Sequence, residues 1–407
     1  MLRPTGTISP VTRSASGQAI AEMRVWKEKE FEDSEARWQE LLGRSVADPL
    51  FMSWSWQWTW WHHHAALLKS SLYLLAAYSG EGELVALAPL HLRRAAHRRP
   101  LSAMRLEIIG STWRHSTGAY SEYLDFIVDP RYEDVFMEAL ADVVLNDHGW
   151  SDLIIANSKR SSVAARFVRK YLRDTCYIRE VDPLIAQLAP LPSSFTQYAQ
   201  TLHSGVRRKV WNQRARVPSV QFVHVEPDRI DSMFNAMNDF HERRWGSRQF
   251  LGSFRDFHLD FARRCAERGN LQMSVLSVGG DLISVMYNVR VGATVYNIQS
   301  GFSSTVVGIS PGYLHFGFCL EAACSEGIKG FDFLAGDGRN RDYKRDFVTQ
   351  GTELVTLQCI RARPLAWLYK EYDRRTPTSV ASFVAFPASV FDTTCAETLG
   401  KIARLIG

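Results

Sequence analysis

The chain has no CxxC pair, no histidine at zinc-finger spacing from a cysteine, no apolar run approaching 18 residues and no large excess of one charge. Each absence removes a class of protein. Six scattered cysteines, Cys176, Cys265, Cys319, Cys324, Cys359 and Cys395, read as free buried thiols in a reducing cytosol, not as a disulfide framework or a zinc ribbon. Without a long apolar run there is no candidate membrane-spanning helix. The N-terminus, MLRPTGTISPVTRSASGQ, lacks the apolar stretch of a signal peptide. Residues 1–23 therefore read as a disordered leader. Their Arg, Ser and Thr faintly resemble a transit peptide, but Pro4, Gly6 and Pro10 oppose the helix such a peptide needs. A net charge of +5, dispersed along the chain, does not by itself announce nucleic acid, and no DNA partner is expected.

What the chain does have is apolar material and repetition. Hydrophobic residues make up 46% of its 407 residues, ample for two cores, and the length suits two domains. SLYLLAAYSGEGELVALAPLHLRR (71–94) reads as strand, glycine turn, strand, and NLQMSVLSVGGDLISVMYNVRVG (270–292) repeats that rhythm. After the first come a strand at 122–128, a helix at 131–149 and a strand at 151–156. After the second come a strand at 294–302, a helix at 310–327 and a strand at 331–336. The two halves read as copies of one α/β unit, each a mixed sheet with a crossover helix. A Pro-rich linker, VDPLIAQLAPLPSSF (181–195), separates them. The expected organisation is leader 1–23, N-terminal domain 24–190, C-terminal domain 191–370 and a weakly helical tail 371–407.

The densest chemistry follows the strand FDFL. Asp337 to Val348 holds three Asp, three Arg and the pair Tyr343–Lys344, at the carboxyl end of a central strand, where open α/β sheets bind ligands. A second basic segment, HSGVRRKVWNQRARV (203–217), reads as the second of two short helices hinged near His203, with Arg207, Arg208, Lys209, Arg214 and Arg216 as either a solvated face or an anion contact.

These residues carry a resemblance. Phe51, Ser53 and Trp54 followed by a Trp pair, the segment HSGVRRKV, the SPG before a long helix and FDFLAGDGRNRDYKRDF are together similar to the CelD-type acetyltransferases of polysaccharide biosynthesis, relatives of the FemAB-like branch of the GNAT superfamily. The similarity runs over about residues 24–370. It implies tandem GNAT-like domains, acetyl-CoA or another acyl-CoA as co-substrate, no metal, and cytoplasmic transfer to an amine or hydroxyl of a small-molecule or glycan-precursor acceptor. It also implies a site on Phe331, Asp332, Phe333, Gly336, Tyr343 and Lys344.

Acyl transfer from a thioester needs a base, a donor for the leaving group and a phosphate cradle. Asp332 is the candidate base, or else the ionised half of a structural pair with Lys344 or Arg339. Asp337, before Gly338, reads as a turn residue. Tyr343 is the candidate acid and Lys344 the candidate anion contact. Gly308, Ser310 and Gly312, with Arg207 and Arg208, are the candidate cofactor-binding residues, Ser310 suiting a helix N-cap and Pro311 a first turn. The Arg or Gln that opens the usual GNAT phosphate loop is missing here. A Fem-like transferase using aminoacyl-tRNA therefore stays open, as does a non-catalytic subunit docked on a polysaccharide synthase.

Two features are discounted. In WSWQWTWWHHH (54–64) adjacent histidines on a helix point about 100° apart and do not converge on one metal, while Trp54, Trp58 and Trp61 share one core stripe. HLRRAAHRRP (91–100) reads as an exposed basic loop.

Overall fold

The computed structural model describes residues 12–13, 19–98, 101–114, 119–217, 219–304, 308–336, 342–348 and 351–375. The chain forms two compact units, one ending at Ala362 and one beginning at Arg363. In the second unit Arg363–Arg375 is a helix whose last turn is tied by Glu371 to Arg374 and Arg375. The tail beyond it lies outside the described residues, as do Asp337, Gly338 and Arg339.

The first unit contains two mixed sheets. One takes β1 (Thr12–Arg13), β2 (Ala19–Val25), β3 (Ser71–Ser79), β4 (Leu84–Arg98), β5 (Leu101–Ile108), β6 (Ile127–Val128), β7 (Asp152–Lys159) and β8 (Tyr177–Ala186). The other takes β9 (Leu188–Pro190), β10 (Val220–His224), β11 (Ser274–Val278), β12 (Asp281–Val291), β13 (Thr294–Phe302) and β14 (Gly330–Asp332). The last strand, β15 (Thr352–Ile360), returns to the first sheet and lies between β7 and β8.

The repeated order is visible in the pairing. β3–β4–β5 and β11–β12–β13 are antiparallel, a helix crosses over (Glu133–Asn146 or Pro311–Ser325), and β7 or β14 then pairs in parallel with β5 or β13. The strand beyond that parallel pair comes in each case from the other end of the chain. β15, following the second half, completes the first sheet, and β9, following the first half, completes the second.

Several local expectations are corrected. The third strand of the first half is β5, not 122–128, of which only Ile127–Val128 pairs. In β5 the charged residues disguised a buried strand: Arg105 hydrogen-bonds Asp152 (2.9 Å) and Glu107 receives Arg93 (2.9 Å), all four buried. The supposed exposed loop 91–100 continues β4 as far as Arg98, and His91 and Arg93 are buried in the same network. The end of the supposed leader, from Ala19 to Met23, belongs to the strand Ala19–Val25, which pairs with β3. Most of the supposed linker is β8 and β9, where Pro183 sits on an edge strand at a bulge and Pro190 on the other sheet's edge, the places where a missing N–H is tolerated.

The halves are joined by aromatic packing. The helix Trp54–Leu68 starts at Ser53, whose hydroxyl accepts from Trp56 N–H. It is buried on almost every side: all five tryptophans are at most 8% exposed, not only the expected stripe. Each such ring removes about 150–250 Å² from water, roughly 4–6 kcal/mol of transfer free energy. Trp56 lies edge-on to Phe257 and Phe261 of the helix Gly252–Glu267 (5.0 and 4.8 Å), and His63 of the tryptophan helix meets Asp260 of that second helix at 3.2 Å. Among the described residues no helix is long and apolar enough to cross a membrane.

Gly317 marks the tightest crossing in the second half. A Cβ there would stand 2.0 Å from the Val210 carbonyl oxygen of the helix Ser204–Val210. Gly317→Ala should therefore cost about 1–3 kcal/mol through overpacking, read as a lower unfolding midpoint. Gly43→Ala, in a helix with open space at the Cβ position, should be neutral or slightly stabilising. Equal midpoints for the two variants would refute the close crossing.

Candidate functional site

β14 ends at Asp332, which faces Tyr296 in the parallel ladder. Pairing stops there while β13 runs on to Phe302, so the two strands part just beyond the carboxylate. Asp332 is 3% exposed. Its Oδ1 accepts the Leu334 N–H (2.7 Å) and its Oδ2 the Tyr123 hydroxyl (2.8 Å). Burial pushes its pKa up against these donors and the charges of Lys344 and Lys159.

The turn after Asp332 is held from the other half. Leu334 adopts a left-handed conformation, φ 59°, costly for a branched side chain, and the next two N–H groups, of Ala335 and Gly336, donate to the two oxygens of Glu122 at 2.8 Å each. Gly336 is favoured by its φ of 67°, and a Cβ there would stand 2.6 Å from the Lys344 ammonium, which would have to shift. Burial drives Glu122 up to about 7, opposed by Lys344 and the two N–H donors and reinforced by Asp332.

Lys344 returns over this turn and donates to the Leu334 carbonyl (3.2 Å). Burial lowers its pKa, and Glu122 and Asp332 partly restore it. Neither Tyr343 nor Lys344 hydrogen-bonds Asp332, so the direct contact expected of the pair is replaced by one step of separation. Tyr343 belongs to a neighbouring cluster: it lies 6.2 Å from the Tyr313 ring and 6.0 Å from the Phe316 ring, with burial pushing it up to about 12.

The candidate phosphate cradle lies at the start of the helix Pro311–Ser325. Ser310 occupies the N-cap position, but its side chain makes no cap hydrogen bond, and its own N–H is taken by Gln213 Oε1 (3.0 Å). Gly308 is left-handed, φ 83°, and Gly312 packs against Phe302, whose ring a Cβ would approach to 3.0 Å. Lys209 stands 4.4 Å from the Tyr313 ring centroid, so the basic helix Ser204–Val210 reaches this first turn. Arg214 is drawn off to Glu321 (2.5 Å) and the Phe318 ring, whereas Arg207 and Arg208 have no carboxylate partner within 4 Å among the described residues. First-turn amides without a side-chain cap, left-handed glycine beside them and unpaired cations on the adjoining helix fit a phosphate-bearing co-substrate.

Sequence reasoning missed Glu122 and Tyr123. Their segment, EYLDFIV, alternates like a strand, but it is a buried loop. Tyr123 is left-handed, φ 54°, and Asp125 accepts from Val163 and Ala164 N–H at the start of the helix Val163–Phe167. The only available signal was Glu122 itself, an acid heading a run that becomes fully apolar.

The fold is mixed α/β, a tandem GNAT-like arrangement of two mixed sheets. The family model of an acetyltransferase (GNAT) domain matches residues 204–345, which contain Asp332, Tyr343, Lys344 and the cradle. No curated protein matches the chain. Among solved structures it is similar to FemX, with TM-score 0.58 and 11% identity over 85% of this chain and 99% of that one. It is also similar to a conserved protein of unknown function from Bacteroides thetaiotaomicron, with TM-score 0.51 and 12% identity over 83% of this chain and 99% of that one.

Folding raises the Glu122 carboxyl to about 7, so the folded chain keeps a proton there that the unfolded chain releases. That stability is complete below the ordinary glutamate range and is lost as pH rises through about 7. Asp48, pushed by burial to about 6, and Asp332 act in the same direction. The unfolding midpoint should fall between about pH 4.5 and 7, and less steeply in Glu122→Gln. Parallel curves for the two proteins would remove Glu122 as a cause.

Proposed function

We propose that the chain is an acyltransferase that moves an acyl group, acetyl in the simplest case, from acyl-CoA to an amine or hydroxyl of a polar, sugar-linked precursor in polysaccharide biosynthesis. The observation that carries this reading is Asp332, a buried and oriented carboxylate at the point where β13 and β14 part, within the segment that matches an acetyltransferase domain. The acceptor class and the cytoplasmic setting rest on the family resemblance of the sequence.

When bound, the co-substrate supplies the acyl group as a thioester. The chain's own residues supply the rest. Asp332 takes the proton of the attacking amine or hydroxyl; Tyr123 and the Leu334 N–H fix its orientation and leave lone pairs free for that proton. Glu122 and Lys344 hold the turn that carries these donors. Tyr343, whose hydroxyl keeps its proton at neutral pH, is the donor for the departing thiolate. Gly308, Ser310 and Gly312, with Arg207, Arg208 and Lys209, would hold the phosphates.

Asp332→Asn should lower kcat by roughly 10²-fold, the usual size for a positioned base, with little change in unfolding midpoint. Lys344→Ala should also lose activity. A structural pair would instead show activity lost only in proportion to folding. Replacing Arg207 and Arg208 by Gln should raise KM and flatten its salt dependence, because phosphate contacts are screened by salt. Binding of radiolabelled acetyl-CoA against aminoacyl-tRNA checks the donor. Binding of aminoacyl-tRNA alone would overturn this reading in favour of a Fem-like transferase, and binding of neither would favour a non-catalytic subunit of a synthase.

A further inference from the structure

Asp48 enters the same buried space from the first half of the chain and has no part in the chemistry above. It is 8% exposed. Its Oδ1 accepts the N–H groups of Leu50 and Phe51 (3.0 and 2.8 Å), which hold it at the turn leading into the helix Trp54–Leu68. Its Oδ2 accepts the hydroxyl of Tyr296 (3.1 Å), the residue paired with Asp332 across the parallel ladder. The arrangement is reciprocal. Tyr296, from the second half, donates to Asp48 in the first, and Tyr123, from the first half, donates to Asp332 in the second. The Phe51 ring lies 6.3 Å from Tyr123 and 6.4 Å from Tyr296, filling the space between them with hydrocarbon.

We propose that Asp48 is a positioning residue for the transfer: bonded to Tyr296, which is paired with Asp332 across the ladder, it forms with Asp332 a coupled pair of buried carboxylates. This rests on the acyltransferase reading for its purpose, but not for its measurement. Two carboxylates buried in one space, each bonded to a tyrosine from the other half, do not ionise independently, because the first negative charge opposes the second. Burial raises Asp48 to about 6, and the negative charge of Asp332 adds to that rise. The other charged or titrating groups facing the pair are Lys159, Lys344, Glu122 and the two tyrosines. Lys159 lies 5.1 Å from the Tyr123 ring and lowers both aspartates, and Lys344 lowers Asp332. Tyr123 and Tyr296 stay protonated, their own pKa values raised by burial and by these carboxylates. During transfer the acceptor's proton moves to Asp332 as the new carbon–nitrogen or carbon–oxygen bond forms; as the carbon–sulfur bond breaks the thiolate takes the Tyr343 proton, and exchange with water then takes the proton from Asp332 and returns one to Tyr343 before the next turnover.

The test is carboxyl ¹³C NMR of the full chain labelled at aspartate, without substrate, with Asp332→Asn and Asp48→Asn assigning the two signals. In the unsubstituted protein the pair should titrate in two steps. Replacing either carboxyl should abolish the upper step and leave the survivor titrating lower, by on the order of one pH unit. Tyr296→Phe, which removes the donor to ionised Asp48, should move the upper step to higher pH, and it decides the matter if Asp48→Asn does not fold. An upper step that persists unmoved in Asp332→Asn, or stays in place in Tyr296→Phe, would overturn the pair. In kcat/KM profiles, the step that follows the upper titration should vanish in Asp48→Asn; a purely structural Asp48 would lower the unfolding midpoint and leave that step where it is. Should no acyl transfer be found with any donor, the NMR titration still reports on the pair.

Discussion

A carboxylate taken out of water must find donors or give up its charge, and Asp332 finds them only because both halves of the chain meet around it. One donor is the backbone two residues on, and the other is Tyr123, more than two hundred positions earlier. The left-handed turn at Leu334 persists because Glu122 accepts the amides that the turn presents. Remove the first half and the second keeps the strand, the acid and the lysine but loses what orients them. The catalytic reading of the C-terminal half therefore depends on residues that make no sequence motif with it.

The two copies diverge at this same place. Parallel pairing stops at Tyr296 and Asp332 in the second sheet, and at Glu107 and Ile154 in the first. Where one copy stops its parallel pairing on an acid of the inner strand, the other stops on an apolar side chain. The first copy keeps its charges two steps earlier, on Arg105 and Asp152, where they satisfy each other and Glu107 beneath Arg93. Pairing of this kind makes a rigid wall, since breaking one partner of a buried ion pair costs about 3–5 kcal/mol. The wall and the acid occupy the same place in the two sheets, but Asp332 has no ion-pair partner within 4 Å among the described residues and is held by hydrogen-bond donors alone.

Legibility in the sequence followed the physical origin of each element. Both hairpins, both crossover helices and the paired short helices could be read because hydrophobic period and glycine turns are local. So could the placement of Asp332 at the end of its strand and the return of Lys344 over the turn that follows it. β5 could not, since Arg105 and Glu107 look solvated until Asp152 and Arg93 are brought beside them. Nor could β8 and β9, because proline is evidence against a strand unless that strand is known to lie at an edge. Asp48, Glu122 and Tyr123 were hidden for one common reason. Each acts on a partner far along the chain, and no spacing encodes such a meeting.

The exchange of β9 and β15 also sets the order in which the molecule can come into being. On the ribosome the first sheet cannot close when its own half has emerged, because the strand between β7 and β8 is still some 165 residues from synthesis, by subtraction of Ala186 from Thr352. β7 must wait as an open edge, and β8 without the strand it pairs with, while the second sheet takes up β9 at its own edge. Proteins closed by such distant contacts fold slowly and are prone to mispairing while they wait. The bulge at Asp182–Pro183 on β8 then has a second use: a waiting strand that lacks an N–H and bends out of register is a poor template for a neighbouring nascent chain until its proper partner arrives.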